Sequence, residues 1–406
     1  MRALTGMRVL DLSQMWAGPT TAMYLADHGA EVIKVEPLTG DDGRRTFTQP
    51  PVPGNESRAF LAINRNKRGI AVDIRQPKGR EIIHRIVRDV DVLVHNFRPG
   101  VAERLGYDYP TLRGMNQRLI YAWLTAFGPE GPYAERPGYD RLFQALSGIF
   151  ARTRLPDGTP VGAGGLWIAD SSAPMELAYG IALALLMRER TGHGQLVTTS
   201  LLHAAMAMQL VDLVAVEHEL EGLGGATDYA RQAMFSPYRC QDGRYLVIVV
   251  VQDAQWQRLC RAVGIPDAAR EERYATALAR ARHSAELLAT LGSIFATRPR
   301  DAWLASLEAE DVPCAPILEP DEVFDHPQIV ANEMLVELVH PLAGRTRMVS
   351  QPVRLQASQP MMVRRAPLLG EHTEDVLREW GYEEAAIRML EAEGVVRCLR
   401  AEPATS

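Results

Sequence analysis

A strand–helix–strand pattern at the start of the chain most constrains the fold. The segments MRVLDL (7–12) and AEVIKVE (30–36) are short apolar runs typical of buried strands, and TTAMYLADHG (20–29) between them has a helical pattern that ends in glycine. Two buried strands joined by a helix form the unit from which parallel α/β sheets are built. The pattern therefore predicts that the chain begins with a parallel sheet.

The same alternation continues along the chain. Further strands are predicted at 68–74, 91–97 and 118–128, with a helix at 77–90 and a second helix at 172–190. These segments predict an α/β fold with a Rossmann-like, doubly wound parallel sheet. In such sheets, ligands bind at the carboxyl ends of the strands.

The second half of the chain has a different pattern. A helix over 200–216 is apolar around most of its circumference, so we expect it to be buried between domains or subunits. A smaller α+β module is predicted to follow, and the last segments return to the large domain. The predicted boundaries are 1–225 for the first part of the large domain, 226–325 for the small domain and 326–406 for the return with a C-terminal helix.

Composition excludes several classes of protein. Hydrophobic residues make up 47% and charged residues 23%, and the net charge is −6, which gives no reason to expect nucleic acid or a membrane as a partner. The four cysteines are widely spaced, which favours reduced thiols over zinc ligands or a disulfide framework. No signal-peptide pattern precedes the first strand, so a cytoplasmic protein is predicted.

Several catalytic motifs are missing. The first strand–helix turn, SQMWAGPTTA (13–22), lacks G-x-G-x-x-G, which argues against NAD or FAD. The sequence has no G-x-S-x-G, H-E-x-x-H or P-loop. His203 lies in an apolar run, which favours a packed core histidine, and Cys314 is predicted to be a buried thiol.

Basic side chains and one aspartate are the remaining candidates for a functional site. Arg44, Arg45 and the segments 64–73 and 96–106 place basic side chains at predicted strand ends, where they would bind a ligand with phosphates or form a solvated basic surface. Asp170 follows GAGG and precedes the helix at 172–190, whose first turn would contain a proline. In that position an aspartate is either a helix cap or a carboxylate nucleophile.

Seven segments, in this order, resemble the class III CoA-transferases, the formyl-CoA transferase and carnitine CoA-transferase family. They are VLDLSQMWAGP (9–19), GAEVIKVEP (29–37), NRNKRGIAVDI (64–74), NFRPGVAERLG (96–106), GPYAERPGYDRLFQALSG (131–148), ADSSAPMELAYGIALALLMRERTGHGQ (169–195) and APLLGEHT (366–373).

The resemblance implies a reaction. Asp170 matches the family's nucleophilic aspartate, which attacks an acyl-CoA thioester to give a mixed anhydride and then an aspartyl-CoA thioester. An acyl-CoA and a carboxylic acid are the implied substrates, with no tightly bound cofactor and no metal. The implied architecture is a small domain inserted in a large one within an interlocked homodimer; a larger assembly or a homologous partner subunit are alternatives.

The resemblance also implies site residues. CoA-binding positions are Lys67, Arg68, Asn96, Phe97, Arg98 and Arg104. Positions that line the active site are Trp16, Ala17, Tyr139, Asp140, Gly224 and Gly225. Arg44 and Arg45 are candidates to meet the second carboxylate of a dicarboxylic acid.

Two departures from the family bear on the substrate. The formyl-CoA transferases have glutamine where Trp16 stands and four glycines where this chain has GLGG (222–225), which argues against formyl or oxalate specificity. Tyr139 replaces the histidine of the α-methylacyl-CoA racemases, which favours a transferase. We predict transfer from succinyl-CoA or a similar donor to a small dicarboxylate. An acyl-CoA racemase, a carnitine- or bile-acid-type transferase and a non-catalytic CoA-binding subunit remain alternatives.

Overall fold

The computed structural model describes residues 1–155, 157–218 and 233–400. The chain divides into two compact units, 1–217 with 328–406, and 218–327.

The strands of the described residues are β1 (Arg8–Asp11), β2 (Glu31–Glu36), β3 (Lys67–Val72), β4 (Val92–His95), β5 (Ile120–Thr125), β6 (Leu196–Ser200), β7 (Pro237–Arg239), β8 (Tyr245–Ile248), β9 (Cys314–Pro316), β10 (Leu335–His340), β11 (Gly344–Val349) and β12 (Val396–Arg397). The α-helices are α1 (Ala17–Asp27), α2 (Arg58–Ile63), α3 (Pro77–Val87), α4 (Val101–Leu105), α5 (Tyr109–Met115), α6 (Asp140–Leu146), α7 (Ile149–Arg152), α8 (Ile168–Thr191), α9 (Leu201–Ala207), α10 (Asp253–Ala262), α11 (Ala277–Arg282), α12 (Ser284–Phe295), α13 (Arg300–Ala309), α14 (Pro320–Val323), α15 (Pro327–Ala331), α16 (Thr373–Glu379) and α17 (Glu384–Ala392).

A seven-stranded sheet organises the first unit, in the order β12-β3-β2-β1-β4-β5-β6. Strands β1 to β6 run parallel, and β12 joins the β3 edge antiparallel. The predicted α/β fold with a large parallel sheet is therefore confirmed. Apolar strand residues are buried on both faces: Val9 and Val32 pack in a cluster with α1 and α8, whereas Leu10 and Ile33 pack with α3, α16 and α17. This alternation follows from the two-residue period of a strand.

The strand order creates a crevice at one edge of the sheet. The chain moves from β1 to β2 and β3 on one side, and β4 to β6 extend on the other side of β1. The loops that follow β1 and β4 therefore diverge at the carboxyl edge, which is where ligands bind in sheets of this kind.

The second unit has its own core. Its antiparallel sheet, in the order β7-β8-β9, packs with helices that include α10, α12 and α13. Trp256, Leu259 and Phe295 are fully buried there.

Two predicted helices differ from the structure. The helix predicted from residue 172 begins at Ile168, so Asp170 lies in its first turn and Pro174 in its second. The helix predicted over 200–216 is present but shorter, because α9 covers only Leu201–Ala207. The Gln209 side chain donates to the carbonyl oxygen of Ala205 at 3.1 Å, which is the acceptor that the next helical N–H would use. His203 is exposed rather than packed in the core.

Buried ion pairs lie beneath the carboxyl edge. Lys67 Nζ lies 2.9 Å from Asp11 Oδ2 and also donates to Asn64 Oδ1 and the Pro19 carbonyl, with both charged side chains fully buried. Burial lowers the pKa of Lys67 to about 8. The ammonium group has three donors and three acceptors, so its hydrogen bonds are complete.

Replacing Lys67 should be costly for stability. We expect Lys67→Met to lower the free energy of unfolding by about 3–5 kcal/mol, because it leaves the Asp11 carboxylate buried without its counter-ion. Urea denaturation measures the loss. Lys78→Met is the control, because the Lys78–Glu393 pair is exposed, and it should change stability by at most about 1 kcal/mol. Equal small losses for both variants would contradict the expectation.

Candidate active site

A cavity of about 450 Å³ lies at the carboxyl edge of the sheet, where the loops after β1, β4 and β5 meet the start of α8. Its walls are formed by Met15, Trp16, Ala17, Thr46, Thr48, Asn96, Phe97, Arg98, Pro99, Leu124, Thr125, Ala126, Ala134, Arg136, Pro137, Gly138, Tyr139, Asp140, Arg141, Trp167, Asp170 and Leu201.

The loop after β1 is held in an unusual conformation. Met15 has a φ of 68°, in the left-handed region that non-glycine residues rarely adopt. Its N–H donates to Asp41 Oδ1 at 2.9 Å, and the other oxygen of Asp41 forms a fully buried ion pair with Lys34. A buried charge thus fixes the loop that presents Trp16 to the cavity.

The loops after β1 and β4 are also tied to each other. The N–H of Gln14 donates to Asn96 Oδ1 at 3.0 Å, and Asn96 Nδ2 donates back to the Gln14 carbonyl at 2.8 Å. Because both groups of the Asn96 amide are used, this side chain is oriented by the fold, and the backbone that carries Phe97 is fixed with it.

Asp170 is the third residue of α8 and lines the cavity. Trp167, at the N-cap position, provides no side-chain cap. Instead Asp140, the first residue of α6, accepts hydrogen bonds through Oδ1 from the N–H groups of Ala169 at 2.7 Å and Asp170 at 3.1 Å. Among the described residues no side-chain hydrogen bond ties up the carboxylate of Asp170. The capping interpretation of Asp170 is therefore not what the structure shows, because Asp140 does the capping.

The surroundings of Asp170 change its acidity. Burial, together with the charge of Asp140, raises the pKa of Asp170 from 3.8 to about 7. A carboxylate that is partly desolvated and not hydrogen-bonded is a better nucleophile than one in water, and it is ionised above neutral pH.

The structure brings most of the predicted residues to this cavity. Trp16, Ala17, Asn96, Phe97, Arg98, Tyr139 and Asp140 line it together with Asp170. A second cavity of about 490 Å³ lies beside it, at the carboxyl ends of β1, β2 and β3, and Phe97 lines both cavities. Arg104, in α4 after the same loop, is exposed and forms no ion pair or hydrogen bond with a described side chain.

Two predicted cations lie elsewhere. Lys67 and Arg68 begin β3, so they stand at the start of a parallel strand and not at its carboxyl end. The Lys67 ammonium group makes all its hydrogen bonds in the buried cluster described above. Arg68 forms ion pairs with Glu31 at 2.8 Å and Glu379 at 2.7 Å. The structure does not bring either side chain to the cavity walls.

The predicted dicarboxylate contacts also lie away from the cavity. Arg44 is buried, forms two hydrogen bonds with Glu36 and one with Glu56, and lies over the Phe60 ring at 3.8 Å. Arg45 is exposed and donates to the Thr39 carbonyl at 2.9 Å. Gly224 and Gly225 lie outside the described residues.

Among the wall residues that sequence reasoning missed, four are large side chains next to predicted ones in the chain or in space. Arg136 and Arg141 flank Tyr139 and Asp140 in the chain, so their proximity to a predicted pair was a signal that could have found them. Trp167 packs edge-on against Trp16 with ring centroids 5.0 Å apart. The fourth, Met15, adjoins Trp16 in the chain.

The described ranges hold neither a metal-binding cluster nor a membrane-spanning helix. No group of three or more His, Cys, Asp or Glu side chains is arranged there to hold a metal ion. No helix in that part of the chain is long and apolar enough to cross a membrane.

Comparison with known proteins places the chain in a family. Residues 4–373 match the family described as CoA-transferase family III. The chain is 34% identical to a formyl-CoA:oxalate CoA-transferase of Streptomyces coelicolor, covering 97% of this chain and 99% of that protein. It is also 34% identical to a succinyl-CoA:glutarate CoA-transferase of Mus musculus, covering 98% and 91%. A solved CAIB/BAIF family protein from Brucella suis superposes with a TM-score of 0.80 at 34% identity, covering 93% of this chain and 99% of that one.

These matches span nearly the whole sequence, so the protein belongs to CoA-transferase family III and is a class III CoA-transferase. The resemblance inferred from the seven sequence segments is confirmed.

The raised pKa of Asp170 predicts a stabilising substitution. A rise from 3.8 to about 7 corresponds to about 4 kcal/mol of unfavourable free energy for the ionised folded state above neutral pH. Because the side chain is only partly buried, we expect Asp170→Asn to raise the free energy of unfolding by about 2–3 kcal/mol at about pH 8.

The sign of the pH dependence is set by the same pKa. Between about pH 4 and about pH 7 the folded wild-type protein binds a proton that the unfolded chain does not, so its stability falls as pH rises. The advantage of Asp170→Asn should therefore shrink towards about pH 4.5 and stay constant above about pH 7.5. Urea denaturation at several pH values measures it, and an advantage that does not vary with pH would contradict the expectation.

Proposed function

We propose that this protein transfers CoA from an acyl-CoA to a free carboxylic acid with Asp170 as the nucleophile. The observation that carries this proposal is the Asp170 carboxylate, which lines a cavity, has no hydrogen-bond partner among the described side chains and has a pKa of about 7. The family supplies the reaction class, and the geometry supports this residue as the attacking group.

The steps balance without ATP or a metal. An Asp170 oxygen attacks the thioester carbonyl, the C–S bond breaks, and CoA leaves as a thiolate while a mixed anhydride forms. The thiolate attacks the Asp170 acyl carbon, releasing the first carboxylic acid and leaving an aspartyl-CoA thioester. The acceptor carboxylate then attacks that thioester, which releases the thiolate and forms a second mixed anhydride. The thiolate attacks the acyl carbon of the acceptor, giving the new acyl-CoA and expelling the Asp170 carboxylate.

CoA is proposed to extend across Phe97. The thioester would lie in the cavity that contains Asp170, and the nucleotide would occupy the adjoining cavity at the ends of β1, β2 and β3. Arg98 and Arg104 follow β4 and are both exposed, so their guanidinium groups are available to phosphates. Lys67 and Arg68 have no part in this arrangement.

A small dicarboxylate is the proposed acceptor. Oxalate and glutarate, in the names of the two curated relatives, are both dicarboxylic acids. Three arginines line the cavity, namely Arg98, Arg136 and Arg141, and each one offers a planar fork suited to a carboxylate. Because the Arg44 guanidinium is already bonded to Glu36 and Glu56, the second carboxylate is assigned to Arg136 and Arg141 instead.

Removing the Asp170 carboxylate should abolish the reaction. We expect Asp170→Ala to lose exchange between succinyl-CoA and a labelled dicarboxylic acid, with the fold retained by circular dichroism. In the wild-type protein, hydroxylamine added during turnover should trap an aspartyl hydroxamate at Asp170, which peptide mass spectrometry detects. Full exchange in the variant, or turnover without a trapped adduct, would overturn the assignment.

The same proposal predicts a pH dependence. Only the ionised carboxylate attacks, so kcat/KM should rise about tenfold per pH unit below the pKa of Asp170 and level off above about pH 7. A profile with its midpoint near the pKa of an ordinary aspartate, 3.8, would contradict it.

A homodimer is the proposed assembly. The outer face of α8 carries an apolar stripe at helical spacing, with Met175, Tyr179, Leu183 and Leu186 exposed by 48%, 67%, 45% and 52%. An apolar stripe of this kind is typical of a surface that another protein covers. We assign that partner as a second copy of this chain.

A charge on this stripe should disrupt the dimer. We expect Leu183→Glu to shift the protein towards the monomer in analytical ultracentrifugation, because association would bury an unpaired carboxylate. Leu278→Glu is a matched control, since that leucine is 47% exposed in the second unit. The proposed interface would be contradicted if the wild-type protein is monomeric, or if Leu183→Glu leaves the dimer unchanged.

A further inference from the structure

We infer that Gln144 is a positioning residue for the transfer, because its side chain holds Asp140 in the place where Asp140 caps α8 and leaves the Asp170 carboxylate free. This inference rests on the proposed role of Asp170. Gln144 is fully buried and lies one helical turn after Asp140 in α6.

The Gln144 amide contacts two different structures at once. Its Nε2 group donates to Asp140 Oδ2 and, at 2.8 Å, to the carbonyl oxygen of Leu166. Its Oε1 atom accepts from the N–H of Ala163 at 3.0 Å. Both hydrogens and the oxygen of the amide are thus used, so the side chain has one orientation.

Those contacts fix the approach to α8. Ala163 and Leu166 are the ends of a tight turn closed by a 2.9 Å hydrogen bond between them, and Gly164 and Gly165 inside it have φ values of 55° and 88°. Gln144 pairs with one polar group at each end of this turn. The turn leads directly to Trp167, which is the N-cap residue and carries no side-chain cap.

Because Gln144 holds Asp140 in place, the Asp170 carboxylate is not needed as a cap for α8. The first N–H groups of a helix need acceptors, and an acidic side chain in the first turn is favoured by the helix dipole. Asp140 satisfies two first-turn amides from outside the helix, at 2.7 Å and 3.1 Å. If Asp140 turned away, these amides would need another acceptor. We expect the Asp170 carboxylate, in the same turn, to take that place, and an oxygen bonded to helix amides is a poorer nucleophile.

Several charged groups surround Asp170 and enter any titration of it. Asp140 on α6 raises its pKa together with burial. Arg98 from the loop after β4, Arg136 from the loop after β5 and Arg141 on α6 line the same cavity. Replacing Gln144 leaves the three arginines in place and changes only the position of Asp140.

Two substitutions of Gln144 should release Asp140 from its cap. Gln144→Met keeps the size and removes the hydrogen bonds, so Asp170 gains helix amides and the midpoint of the kcat/KM profile should fall by about one unit. Gln144→Glu also removes the donors and repels Asp140, and its added charge opposes the downward shift of the midpoint, so the expected change in this variant is the loss of kcat. In both variants kcat should fall about 10–100-fold with a smaller change in KM, because a misplaced nucleophile affects the chemical step.

Gln209→Met is the matched control. Gln209 is also buried and its Nε2 group also donates to two acceptors, the carbonyls of Ser147 and Ala205 at 3.1 Å. It has no contact with Asp140 or Asp170 among the described hydrogen bonds. We expect Gln209→Met to lower stability in urea denaturation and to leave the pH midpoint unchanged.

The outcomes separate this inference from the proposed function. Wild-type kcat and pH midpoint in both Gln144 variants, with Asp170→Ala inactive, would overturn the positioning role alone. An active Asp170→Ala would overturn the proposed function whatever the Gln144 variants do. If Gln144→Met does not fold, a fall of kcat with little change of KM in Gln144→Glu decides the question.

Discussion

The active site depends on one interaction, the acceptance of two helix amides by the carboxylate of Asp140. A helix that begins at a loop must satisfy its first N–H groups, and residues near the N-cap usually do this. In this protein the acceptor comes from α6, and it spares the acid within the first turn of α8. One carboxylate completes the helix, so the other is not needed as a cap, and its ionised form is destabilised by burial and by the negative charge beside it.

The other walls of the cavity are held in place by buried ion pairs and by an amide bridge between two loops. Buried charges beneath the carboxyl edge hold the loop after β1 in place, with Lys34 and Asp41 fixing the left-handed Met15. Asn96 then fastens the loop after β4 to the loop after β1. The crevice is thus shaped by interactions that lie under it, and the side chains that face it remain available.

The sequence predicted the features that follow from strand order. It did not predict the contacts that side chains make with other helices and loops. The parallel sheet follows from alternating apolar runs, and Trp16 and Asn96 come to one cavity because each follows a neighbouring strand. Lys67 and Arg68 were misplaced because their charges are used in ion pairs within the fold, with Asp11 for Lys67 and with Glu31 and Glu379 for Arg68. Gln144 was not predicted, since its partners Ala163 and Leu166 are joined to it only by tertiary packing.

Pro174 weakens the connection between the first turn of α8 and the rest of that helix. It lies in the second turn and has no N–H, so the main-chain carbonyl of Asp170 loses the bond that would connect it to the next turn. The first turn is therefore coupled less tightly to the long helix that follows it than an ordinary first turn would be. Two of its amides are instead bonded to Asp140, so the position of Asp170 depends on α6 as well as on the helix that carries it.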